Sequence, residues 1–145
     1  MAGNERDFPD VNVWLAMSVT GHEHHARADT YRKTESDRLV FSRITGLGFM
    51  RLVSNPQAIG VEALSVSEAW GMYARLLARP NVEFLSEPPR CTNILEKWAR
   101  DSIFSWQLWT DAYLAAFAVA ADIRLVTFDS DFARFPGLSV LHLKP

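Results

Sequence analysis

At 145 residues and 48% hydrophobic, the chain has material for one buried core and is short for two independent domains. A net charge of −2, with 22% charged residues mixed along the sequence, excludes a disordered acidic tail and a basic nucleic-acid arm. The lone cysteine, Cys91, excludes an internal disulfide and argues against thiolate zinc, no stretch nears the roughly 20 apolar residues of a membrane span, and the first residues lack a signal-peptide layout, so a cytoplasmic protein without a membrane partner is expected.

Val11, Val13 and Leu15 alternate within Phe8 to Leu15, which predicts a short strand or a strand running into a helix. His22 to Asp37 is polar, with the composition of an exposed helix, and Arg38 to Phe41 reads as a buried strand. From Arg43 to Val53 the apolar residues recur at helical spacing, with Asn55-Pro56 as the stop. Gly46 and Gly48 weaken that helix, so close packing is the expected reason for them. Ser65 and Glu68 form a capping-box pattern opening a helix that ends before Pro80. Val82 to Leu85 is strand-like, Glu87-Pro88-Pro89 breaks it, and Thr92 to Ile103 is helical in composition. Thr110 to Ala121 is the clearest helix, with Thr110 as its cap. Leu125 to Phe128 follows as a buried strand, Asp129 to Phe135 as a turn or short helix, and Leu138 to Leu143 as a terminal strand. This alternation predicts an α/β chain with a mostly parallel sheet between helices, whose ligands bind at the carboxyl ends of the strands.

That rule selects acids. Asp129 directly follows a predicted strand, Asp111 sits in the first turn of a helix whose Leu114, Ala115 and Ala118 form an apolar stripe, and Asp10 lies near the end of the first strand. Asp131 offers a further oxygen. Each acid alone is ordinarily structural, because Asp is favoured in first turns and after strands. Together they differ, since carboxylates about 4 Å apart repel by roughly 4 kcal/mol per pair at an effective dielectric of 20. Such a site needs a cation, and all-oxygen ligation points to Mg2+ or Mn2+ and to hydrolysis or transfer at phosphorus.

Asp10-Val11-Asn12-Val13, Thr110-Asp111-Ala112-Tyr113-Leu114-Ala115-Ala116 and Val126-Thr127-Phe128-Asp129-Ser130-Asp131-Phe132 resemble the PIN domain, in its VapC toxin branch. The segments Phe41 to Leu52 and Phe135-Pro136-Gly137-Leu138 are similar to that branch too. The resemblance implies a three-layer α/β/α sandwich and a Mg2+- or Mn2+-dependent endoribonuclease. It also implies a toxin held silent by a cognate antitoxin and expected to dimerise. Asp10, Asp111 and Asp129 match the family's metal-binding acids, with Asp131 secondary; Thr127 matches a hydroxyl beside the pocket, and Asn12 a neutral residue that orders the first acid. One departure is that Thr45 stands where many members place a Glu, which puts a second ion in question. The residues before Asp10 are also less apolar than a buried first strand prefers.

Twelve of the fifteen basic residues are Arg, the side chain suited to bidentate phosphate contacts. Arg43 and Arg51, eight apart on one predicted helix, are candidates for RNA phosphate, against the commoner role of surface salt bridges. Among the five tryptophans, Trp106 and Trp109 precede Asp111 and are the candidates for contact with RNA or an antitoxin segment. His22, His24 and His25 lack a zinc pattern, so surface or packing roles are expected, with His25 the one placed to reach the site's rim. Two rival readings stand beside the nuclease. One is a phosphatase using Asp10 as nucleophile, which Asp10-x-Asn12 fits poorly for want of a second acid. The other is an RNA- or partner-binding module whose weakened site no longer cuts.

Overall fold

A computed structural model describes residues 5–145. Five strands, β1 (Arg6–Pro9), β2 (Arg38–Phe41), β3 (Val82–Phe84), β4 (Arg124–Thr127) and β5 (Val140–His142), form one sheet in the order β3-β2-β1-β4-β5, and every neighbouring pair is parallel. The helices are α1 (Val11–Ser18), α2 (His25–Thr34), α3 (Arg43–Val53), α4 (Pro56–Ile59), α5 (Val66–Leu77), α6 (Cys91–Arg100) and α7 (Trp109–Ala121). The expected α/β/α sandwich is what the chain forms.

Strand alternation builds the layers. Val40 and Leu125 point to one face with Phe8, where they meet Leu114, Ala115, Phe117 and Ala118 of α7 and Trp98 of α6. Leu39, Phe41 and Val126 point to the other, where they meet Val13 and Trp14 of α1, Phe49 of α3 and Tyr73 of α5. Trp14 and Phe41 stack there with ring centroids 3.7 Å apart. Both faces are covered, as parallel sheets require.

The first expectation resolves toward its second form. The strand ends at Pro9 and Val11 already starts a helix, because α1 buries Val13, Trp14, Leu15 and Ala16 together. A helix covered nearly all round shows no clean period, and its β-branched residues imitate a strand. Helix α2 is shorter than the polar run suggested, beginning at His25 and ending at Thr34. Asn55-Pro56 is both a stop and a restart: Asn55 accepts from the Gln57 amide at 2.9 Å and opens α4. The capping box at Ser65 and Glu68 is formed in both directions, at 3.1 and 2.8 Å. Gly46 and Gly48 are close approaches, since a Cβ on either would fall 2.8 Å from Tyr73 Oη or Val11 Cγ2 respectively.

Thr110 is not the cap of α7. That helix starts one residue earlier, its N-cap position is Leu108, and no side chain caps it. Asp111 nevertheless lies in the first turn, where the helix dipole favours an acid. The polar first strand has its own explanation. Asp7, 1% exposed in central β1, accepts from Tyr31 Oη at 2.6 Å and from Arg124 Nε and Nη2, both at 2.9 Å. A buried carboxylate so paired is compatible with the middle of a sheet.

Candidate active site

The sheet order reverses between β1 and β4, the two strands from which chain connections leave in opposite directions, and that switch point opens a crevice at their carboxyl ends. Asp10 directly follows β1 and caps α1, its Oδ1 accepting from the Val11 amide at 2.7 Å. Thr127 ends β4, fully buried, and its hydroxyl donates to Asp10 Oδ2 at 3.1 Å while accepting from the Asp129 amide at 3.0 Å. One hydroxyl thus ties the first acid to the backbone that presents the last. Asp129 turns its Oδ1 to the Asp131 amide at 2.8 Å, an Asx turn that opens the short 3-10 segment Ser130–Arg134.

Asp111 completes the cluster from α7. It lines a cleft of about 480 Å3 with Asp10, Asn12, Ile44, Leu47, Gly48 and Arg51. Burial, and then the charges of Asp10, Asp129 and Asp131, push its carboxyl up to about 6, with Arg134 opposing. Burial also raises Asp10, against the lowering effect of its bonds from Val11 and Thr127. Among the described residues no basic side chain forms an ion pair with Asp10, Asp111, Asp129 or Asp131. The four therefore form an acidic group without a cation of its own, made wholly of oxygen donors, which suits a hard divalent ion. The donor chemistry suits such an ion, but among the described residues no three His, Cys, Asp or Glu side chains stand close enough together to hold one as they are placed.

Other expected residues fall in different places. Asn12 is exposed and lines both the Asp10–Asp111 cleft and a second cavity beside Asp129. Thr45 is fully buried, its hydroxyl occupied in a capping box with Ser42, accepting from the Ser42 amide at 2.9 Å. The residues of α3 that do face the cleft are Ile44, Leu47, Gly48, Arg51 and Leu52, so that helix brings no acid to it. Arg43 and Arg51 form no salt bridge among the described residues: Arg43 lies over the Phe84 ring at 4.7 Å, and Arg51 stays at the cleft. Trp106 and Trp109 are 78% and 52% exposed just before Asp111. His25 is turned away from the rim, its Nδ1 bonded to the Ala16 carbonyl at 2.7 Å. Sequence reasoning missed that His22 and His24, in the loop before α2, stand at the rim beside Asp129 instead. Their clustering was visible; the loop that carries them to the strand ends was not.

A family model of the PIN domain matches residues 8–138. Ribonuclease VapC44 of Mycobacterium tuberculosis is 38% identical over 144 residues, covering 95% of this chain and 97% of its own. Ribonuclease VapC41 of the same organism is 30% identical over 139 residues, covering 90% and 94%. Among solved structures, M. tuberculosis VapC20, a sarcin-ricin loop cleaving toxin, superposes with a TM-score of 0.67 at 18% identity over 92% of this chain and 98% of that one. VapBC-1 from nontypeable Haemophilus influenzae gives a TM-score of 0.67 at 16% identity over 94% and 97%.

Proposed function

Because the chain belongs to the PIN domain family, we propose that it is a divalent-metal-dependent endoribonuclease of the VapC type, the toxin of a toxin–antitoxin pair. The observation that carries this reading is the acidic group at the β1–β4 switch point, with which no basic side chain of the described residues forms an ion pair and which Arg134 offsets only in part.

Asp10, Asp111 and Asp129 would hold the ion, with Asp131 beside them. A bound Mg2+ or Mn2+ supplies polarisation of a phosphoryl oxygen and a water acidic enough to attack near neutral pH. The chain's own work is positioning. Val11 and Thr127 fix the two oxygens of Asp10 and favour its ionised form, and α7 is anchored on the sheet by the buried Leu114, Ala115 and Ala118, which hold Asp111 over the strand ends. Asp111, with its carboxyl near 6, must give up its proton to take part, so cation binding is proton-linked and weakens below that pH. Arg51 at the cleft, and Trp106 and Trp109, exposed just before Asp111 in the chain, offer a guanidinium for phosphate and flat faces for unstacked bases.

The partners that follow are single-stranded segments of RNA, an antitoxin protein and a second copy of the chain. The solved neighbours include VapBC-1 of H. influenzae and a VapBC of Salmonella typhimurium bound to DNA. In the described residues no helix is long and apolar enough to cross a membrane, and the buried thiol Cys91 suits the cytoplasm, where RNA is met. The absence of an acid on the cleft face of α3 favours one ion over two. It is also the observation that supports the second reading, a binding module without turnover.

The test compares wild type with Asp10→Asn and Asp129→Asn on total cellular RNA, partner-free, with Mg2+, Mn2+ or chelator. We expect cleavage by wild type with metal, none with chelator, and a loss in either variant of about 10^3-fold, the several kcal/mol that metal-held charge contributes to such transition states. RNA left intact by wild type with both ions, while still bound by it, would give the second reading instead.

A further inference from the structure

Beside Asp129, sharing Asn12 with the Asp10–Asp111 cleft, lies a cavity of about 470 Å3 walled by Asn12, His22, Glu23, His24, Thr127, Phe128 and Asp129. Its volume falls in the roughly 300–1,000 Å3 of small-molecule sites. It shares Asn12, Thr127 and Asp129 with the acidic site, while His22, Glu23, His24 and Phe128 have no part in the metal chemistry.

Its walls have a specific character. The His24 ring stacks on Phe128, centroids 4.8 Å apart and planes 28° from parallel, and the Phe128 carbonyl is in turn bonded to His142 Nε2 at 2.9 Å. His24 is therefore a flat platform backed by an aromatic ring and by the strand-end backbone. His22 is fixed as well: its Nδ1 accepts from the His24 amide at 3.0 Å, so the neutral ring carries its hydrogen on Nε2, as a donor. Burial, and then His24, lower the His22 pKa, which keeps that neutral form at pH 7. Glu23, 81% exposed with its Oε1 3.5 Å from His24 Nε2, supplies an acceptor at the edge of the His24 ring, and the exposed Asn12 amide offers both roles. A stacking wall with donors and acceptors at its rim is how proteins receive an unstacked base. The carboxylates of Glu23 and Asp129 repel a second phosphate, and a carboxylate rim accepts from an exocyclic amino group.

We infer that this cavity receives the nucleobase of a nucleotide adjoining the scissile phosphate, with His24 as its stacking platform and Glu23 selecting bases that carry an amino group. The inference rests on the nuclease reading and names which part of the RNA that site grips. It places specificity in the loop between α1 and α2, beside Asp129.

Two measurements test it, one of which needs no cutting. In the first, wild type, His24→Ala, His24→Phe and Glu23→Gln cleave a randomised RNA pool and the cut sites are sequenced. Wild type should favour adenine, cytosine or guanine over uracil at one position flanking the cut. Glu23→Gln should flatten that preference, His24→Ala should cut about tenfold or more slowly, as loss of one base stack predicts, and His24→Phe should restore the rate. In the second, fluorescent RNA pentamers varied at one base are titrated against Asp10→Asn protein with and without His24→Ala. Tenfold weaker binding with His24→Ala, and a base preference lost with it, supports the subsite even where wild type proves unable to cut. Cleavage patterns and pentamer affinities indifferent to both His24→Ala and Glu23→Gln overturn the proposal while leaving the nuclease reading intact. So does an effect confined to capture of a protein partner.

Discussion

Strand β1 and the residue just after it carry two acids three positions apart, Asp7 and Asp10, and the chain treats them oppositely. Asp7, at the amino end of the sheet, is buried and receives a bidentate Arg124 and the Tyr31 hydroxyl. Asp10, at the carboxyl end, receives only neutral donors and faces Asp111 and Asp129, with no cation paired to any of them among the described residues. Arg124 and Thr127 make the contrast sharper, because they are the two ends of one strand, β4: its first residue neutralises Asp7 and its last only orders Asp10. An acid whose charge the fold has already balanced is part of the scaffold. An acid held in place with its charge left open is where a ligand has to complete the electrostatics.

The largest expected effect comes from undoing the balanced pole. Arg124→Ala leaves the Asp7 carboxylate buried in the sheet with Tyr31 as its one strong partner, and should cost about 3–5 kcal/mol of folding stability in a urea titration. Burial, and then the nearby Asp7 charge, push the Tyr31 hydroxyl far above the ordinary phenol range, so it stays a donor and cannot substitute for the lost cation. A variant as stable as wild type would mean that Asp7 and Asp10 do not differ in the way described. At the open pole the sign reverses. The Asp111 proton stabilises the folded chain fully below the ordinary carboxyl value of 3.8, and that stabilisation is lost as pH rises through about 6. Asp111→Asn never ionises, so without metal it should exceed wild type by roughly 1–2 kcal/mol above pH 6, allowing for solvent screening. The gap should close below pH 4. Adding Mg2+ should stabilise wild type and leave the variant nearly unmoved, a difference read directly from thermal melts.

The open pole was legible in the sequence and the balanced one was not, for a physical reason. Asp10, Asp111 and Asp129 each sit at a boundary that local pattern marks: a strand end, a helix first turn and the residue after an apolar run. Once the sheet is taken as parallel, those boundaries fall at one edge. Asp7 and Arg124 are partners across 117 residues, with no periodicity to announce them, so the polar first strand read as a defect. Gly46 and Gly48 were readable as close approaches because a glycine in a helix needs a reason, and Tyr73 and Val11 provide it. The position of Thr45 was not readable: helix spacing gives a face, but the face turned to Asp10 is that of Ile44, Leu47 and Gly48, while Thr45 turns inward to Ser42. The tertiary pairing that decides such points lies outside any short window of sequence.

The smallest effect isolates the single hydroxyl that joins the two strands at the site. Thr127→Val keeps the shape of a fully buried β-branched residue and removes its donation to Asp10 Oδ2 and its acceptance from the Asp129 amide. The stability cost should be about 1 kcal/mol, because both partners lie close enough to solvent to recover part of the loss. The consequence for charge is more telling. The Thr127 bond lowers the Asp10 pKa against burial, so its loss moves Asp10 further up, and more of it is protonated at a given acidic pH. If ionised Asp10 is what receives the cation, the acidic limb of the pH–rate profile shifts to higher pH in Thr127→Val, and Thr127→Ser, which keeps the hydroxyl, restores it. A valine variant that loses stability yet keeps the wild-type profile would place Thr127 with Asp7 and Arg124, as scaffold, and would separate the ordering of Asp10 from its chemistry.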